Sequence, residues 1–81
     1  MKRALPFICQ QQAAKLMYRR GITYAQQQSH QQAIAAFTSA LDKGYAHAAQ
    51  AQVMRGISRI NDQDIAGAIA DFDAIITAEE S

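Results

Sequence analysis

Eighty-one residues with 49% hydrophobic content, no tryptophan and one proline make a single small domain, and alanine supplies much of the apolar share. With few large apolar side chains to bury, stability is expected to be marginal unless a partner or a second copy covers more surface. The net charge of +1 hides a polarity: residues 1–41 carry Lys2, Arg3, Lys15, Arg19 and Arg20 and no acid, while residues 60–81 carry Asp62, Asp64, Asp71, Asp73, Glu79 and Glu80 and no base.

The opening stretch, MKRALPFICQQQ, has an apolar run too short for a signal-peptide core, and glutamines interrupt it. Ile8 is too large for the position before a lipoprotein cysteine, and no segment is long enough to span a bilayer. Residues 1–12 read as an N-terminal arm or a helix extension. Pro6 suits a first helical turn, and Leu5, Phe7 and Ile8 could then pack on the helices beyond residue 13. The single cysteine, Cys9, excludes an internal disulfide and is expected as a buried or idle thiol in a reducing cytoplasm.

Residues 13–81 read as four helices. The first runs from Ala14 to about Gln27 through good helix formers. Ser29 then stands as an N-cap, with Gln32 placed to complete a capping box. The second runs from about His30 to Lys43, with Ala33, Ile34, Phe37, Ala40 and Leu41 on one face, and Gly44 ends it. The third runs from about His47 to Asn61. Asp62 or Asp64 caps the last, whose apolar face is Ile65, Ala68, Ile69, Phe72, Ile75 and Ile76. The small residues Gly67, Ala70 and Ala74 are expected on the side that a further helix would cover. The glutamine runs at 10–12 and 26–28 read as exposed helix surface or turn.

An internal repeat organises these helices. Shifted by 35, residues 13–46 lie on 48–81, with identity at Ala13, Ala14, Arg20, Gly21, Ile22, Gln28, Ala33, Ile34, Ala35 and Phe37. The matches cluster in frame, as a structural repeat requires and an alanine-rich composition does not. Gly21 and Gly56 fall inside helices, where glycine costs about 1 kcal/mol relative to alanine, so each needs a packing reason.

A helical-hairpin repeat with Gly-x-x-Tyr and Ala-x-x-x-Phe resembles the tetratricopeptide repeat, in the variants common in bacteria. The first copy (13–47) offers Gly21, Tyr24, Ala33 and Phe37, and the second (48–81) offers Gly56, Ala68 and Phe72. The resemblance implies an all-α fold of two helix-turn-helix repeats in a short right-handed superhelix, with Gly21 facing Ala33 and Gly56 facing Ala68. Arg20 and Arg55 stand where many family members have leucine. Arg55 could pair with Asp71 across its hairpin, whereas Arg20 has Ala36 at the equivalent place. The usual closing proline is absent, with Tyr45 near its position, and Arg59 replaces the second tyrosine. Solenoids of this kind usually have three or more repeats and a cap, and this chain has two.

The resemblance also implies a concave face that binds a peptide or helix. Here it comprises Lys15, Tyr18, Arg19, Ile22, Ala25 and Gln26 of the first copy and Gln50, Val53, Ile57, Ile60 and Asn61 of the second. The expected function is an adaptor or assembly factor that holds an apolar or amphipathic helix of another protein. The alternative is head-to-tail self-assembly of basic and acidic ends, and RNA binding through Lys15, Arg19 and Arg20 ranks third. His30, His47 and Cys9 lack metal-ligand spacing, and Asp71 and Asp73, two apart on a helix, do not face each other. Neither an enzyme nor a cofactor is expected, and nucleic acid is not the expected partner.

Overall fold

Four helices account for most of residues 7–80, which the computed structural model describes, with side chains for residues 9–78. They are α1 (Phe7–Gln26), α2 (His30–Asp42), α3 (Ala48–Asn61) and α4 (Ile65–Glu80). The fold is all-α, and no strand occurs among the described residues. α1 starts at Phe7 rather than Ala14, so residues 7–12 extend the helix. The expected roles of Lys2, Arg3, Leu5 and Pro6, and of the Phe7, Ile8, Glu79 and Glu80 side chains, fall outside the described residues.

Three helix ends share one turn. After α2, Gly44 takes φ +76°, its N–H donates to the Leu41 carbonyl, and the Tyr45 N–H donates to the Ala40 carbonyl. This is the Schellman pattern expected of a glycine just past a helix. α1 and α3 end the same way, but with Gln28 (φ 62°) and Gln63 (φ 66°) in the left-handed position. Glutamine pays a steric penalty there that glycine avoids. At the starts of helices the outcome is mixed. Ser29 occupies the N-cap of α2, yet its side chain makes no capping bond, so the expected capping box does not form. Asp64, not Asp62, caps α4, with its carboxylate accepting from the Gly67 N–H at 3.0 Å.

Packing is sequential. α1 lies on α2, α2 on α3 and α3 on α4, and α1 touches α3 lightly. The principal extents are 42 × 35 × 19 Å, so the shortest dimension is about two helix diameters. The radius of gyration, 13.2 Å, exceeds the roughly 12 Å expected of an 81-residue globule, as befits a slab.

The core is mostly small. Ala14, Ala33, Ala40 and Ala51 are fully buried, and among the described residues Phe37 is the one large apolar side chain that joins them. Alanine lets helix axes approach closely but removes little area per residue. The glycines serve the same closeness, and each is bounded by an aromatic ring. A Cβ on Gly21 would first meet the Phe37 ring, at 2.5–2.8 Å, and one on Gly56 would first meet the Phe72 ring, at 2.8–3.2 Å. In each hairpin the aromatic ring of the second helix lies flush on a backbone stripped of its side chain.

Candidate interaction surfaces

The apolar face expected on α3 is open. Val53, Ile57 and Ile60, spaced i, i+4 and i+7, are 37–45% exposed, and Gln50 and Asn61 beside them are exposed. The other sides of α3 are occupied: Ala51 and Ser58 are buried, and Gly56 meets α4. On α1 the matching face is more covered. Lys15, Arg19 and Gln26 are exposed, but Tyr18, Ile22 and Ala25 are half-buried.

Tyr18 owes its burial to the turn between the hairpins. Its ring stacks on Tyr45 at 5.1 Å and tilts against Phe37 at 5.7 Å, and His47 meets Tyr45 edge-on at 5.5 Å. Tyr45, near the position of the missing proline, is thus a buried wedge between α1 and the second hairpin. Burial pushes the Tyr18 hydroxyl above its ordinary pKa, and Tyr45 adds to the effect. Gln11 secures the same turn. Its carboxamide donates to the Gly44 carbonyl at 2.6 Å and accepts from the Ala46 N–H at 2.7 Å. One member of the glutamine run at 10–12 is therefore a strap rather than idle surface. Tyr24 is half-buried and borders a cleft of about 280 Å³ between α1 and α2, with Met17, Arg20, Gln32, Ala35, Ala36 and Ser39. That volume lies at the lower edge of small-molecule sites, roughly 300–1,000 Å³.

The second hairpin holds an ion cluster. Arg55 grips Asp71 through Nε at 3.0 Å and Nη2 at 2.5 Å, the pair expected from the sequence. Its Nη1 donates to Thr38 Oγ1 at 3.1 Å, which ties α3 to α2. Arg59 donates to the same Asp71 carboxylate at 3.0 Å and to the Gly67 carbonyl at 3.3 Å, and lies 3.7 Å from the Asp64 carboxylate. Two guanidinium groups and two carboxylates balance, with Asp71 only 3% exposed. The arrangement joins helices and leaves no free acid or base aimed at a cleft.

α4 presents a different outer row from the one expected. Gly67 is half-buried against Asp64 and Arg59, while Ala70 and Ala74 are exposed. On α2 the register mates of these three, Gln32, Ala35 and Ser39, border the cleft toward α1, so this row does not face the next helix. The α2 side that meets α3 contains Thr38 and Leu41, whose mates are Asp73 and Ile76. Ile65, Ile69 and Ile76 there are 52–54% exposed.

Cys9 is exposed. Among the described residues no three His, Cys, Asp or Glu side chains converge as metal ligands, and no helix is long and apolar enough to cross a membrane. Compared with protein-family models, curated proteins and solved structures, the chain matches none of them.

Proposed function

We infer that this chain is a protein-interaction module of two tetratricopeptide-like hairpins, which binds an apolar or amphipathic helix of a protein partner and acts as an adaptor or assembly factor. The observation that carries the reading is the exposed row Val53, Ile57 and Ile60 on α3. An amphipathic helix with anchors at the same spacing would bury that row, and Lys15, Gln26 and Gln50 would form a polar rim. Covering the exposed part of each residue is worth about 1 kcal/mol, so the row alone supports weak binding. Useful affinity needs the partly open Ile22 and the rim as well. The in-frame repeat and the equivalent Gly–Phe contacts of both hairpins support the family resemblance, and with it the right-handed superhelical twist.

The test is capture by immobilised protein from extracts of its own cells, with wild type beside Val53→Glu/Ile57→Glu. Both substitutions sit on an exposed face, so the helical circular-dichroism signal is expected to persist. Proteins held by the wild type are expected to be lost from the variant. Equal capture by the two would refute the assignment of this face.

A further inference from the structure

The repeat register relates two joints, one filled and one open. Advancing 35 residues carries α2 onto α4, since His30 maps to Ile65 where α4 starts, and carries α1 onto α3, since Gln26 maps to Asn61 where α3 ends. The left-handed turn residues Gln28 and Gln63, and the Gly21–Phe37 and Gly56–Phe72 contacts, also coincide under this shift. α2 is covered by α1 on one side and α3 on the other, whereas among the described residues α4 is covered by α3 alone. Burial records the difference. Phe37 is fully buried and its mate Phe72 is half-buried, while Ile34 and Leu41 are half-buried and their mates Ile69 and Ile76 are exposed.

The missing cover exists on α1. On α3, Ala51 packs beside Ala40 of α2, Ser58 is buried one turn from Arg55, and Arg55 bonds Thr38 of α2. Their mates are Leu16, Thr23 and Arg20, all exposed on the outer side of α1. The mate of Thr38 is Asp73, exposed on the open side of α4 with Ile65, Ile69 and Ile76. Repeating the α2–α3 joint between two chains therefore sets Arg20 of one against Asp73 of the other. The bond from the Arg55 guanidinium to the uncharged Thr38 hydroxyl becomes an ion pair, and neither Arg20 nor Asp73 has an ionic partner within the chain among the described residues. We propose that the acidic, isoleucine-bearing face of α4 binds the Leu16–Arg20–Thr23 face of α1 in a second copy, stacking chains head to tail.

The rest of the joint is compatible. Leu16 stands where Ala51 packs beside Ala40, and Ile75 stands in place of Ala40, so the joint between chains is wider and more apolar. α1 reaches back to Phe7 and α4 runs on to Glu80, so neither needs the turn that occupies residues 43–47 within the chain. The two faces carry opposite charge, with Arg20 and its neighbour Arg19 on α1 and Asp73 on α4, all three exposed. Such a contact joins unlike patches and grows into open stacks or rings. It uses a surface separate from the α3 row that binds a foreign helix.

Sedimentation velocity over a concentration series, at low and high salt, tests the proposal. The wild type is expected to grow in mass with concentration and to shrink with salt. Arg20→Asp and Asp73→Arg are each expected to weaken association about ten-fold or more, and Arg20→Asp/Asp73→Arg together to recover most of it. Both residues are exposed, and unchanged helical circular dichroism checks that the variants fold. A wild type monomeric throughout, single reversals without effect, or a double variant that fails to recover would overturn it. So would loss of self-association in Val53→Glu/Ile57→Glu, which would place the contact on α3. Loss of foreign capture in that variant, with stacking intact, would separate the two surfaces.

Discussion

Replacing Gly21 by alanine asks whether the hairpin depends on a ring lying against bare backbone. The new Cβ would fall 2.5, 2.7 and 2.8 Å from Phe37 Cε1, Cδ1 and Cζ, where ordinary carbon contacts begin near 3.5 Å. The ring must retreat by about 1 Å, yet Phe37 is 0% exposed, and interiors are close-packed. With the ring enclosed, such overpacking costs about 2–3 kcal/mol, the upper part of the usual range, partly offset by the roughly 1 kcal/mol that alanine gains over glycine within a helix. The net loss is about 1–2 kcal/mol, or roughly 4–16 °C in Tm for a domain of this size. Gly56→Ala makes the contrast. Phe72 is nearly as close, at 2.8 Å, but is half-buried beside the open face of α4 and can swing outward, so the two effects should nearly cancel. Urea unfolding followed by circular dichroism measures both, and Phe37→Leu in the Gly21→Ala background should restore part of the loss. Gly21→Ala at least as stable as the wild type, or Gly56→Ala the more damaging of the two, would refute the reasoning.

Gln28→Gly and Gln63→Gly should each raise stability by about 0.5–1 kcal/mol, because φ near +60° strains a side chain at both positions; unchanged or lower urea midpoints would count against this. Asp71→Ala leaves two guanidinium groups beside a vacated carboxylate and should cost about 3 kcal/mol, read in the same assay, with a loss under about 1 kcal/mol showing that water serves as well. Tyr18 is neutral and favoured as such in the folded state. With its folded pKa raised, its contribution is fully present below its unfolded pKa of about 10 and is lost as pH rises through the higher folded value. Alkaline unfolding should therefore come at higher pH in Tyr18→Phe, and an unchanged profile would contradict the assignment.

Local features of the chain were legible where they depend on neighbours in sequence. Gly44 announced its turn, the repeat offset placed four helices within a few residues except at the start of α1, and the opposition of Arg55 and Asp71 came from the hairpin. Contacts between distant segments were not. Gln11 reaches Gly44 and Ala46 across more than thirty residues, and nothing in a glutamine run distinguishes the member that does so. Tyr18 falls by position on the face expected to bind a partner, but the Tyr45 wedge draws it inward. Arg59 reads as a departure from the family pattern, and only its place beside Asp71 and Asp64 gives it a role. On α4, composition drew attention to Gly67, Ala70 and Ala74, whereas the direction of the uncovered side depends on how α3 lies against α2.

The two hairpins are sealed by different chemistry, rings around Tyr18 in the first and charges around Asp71 in the second. The seals respond differently to salt. Both weaken on cooling, but added salt screens the partly exposed Arg59–Asp64 edge of the ion cluster and leaves the ring contacts unscreened. The weakest element of the chain is thus not a fixed place. In concentrated salt α4 should open first and its amides exchange soonest, whereas in dilute solution the hairpins should loosen more nearly together. A protein of this size can in this way carry a response to its medium in the contrast between its halves.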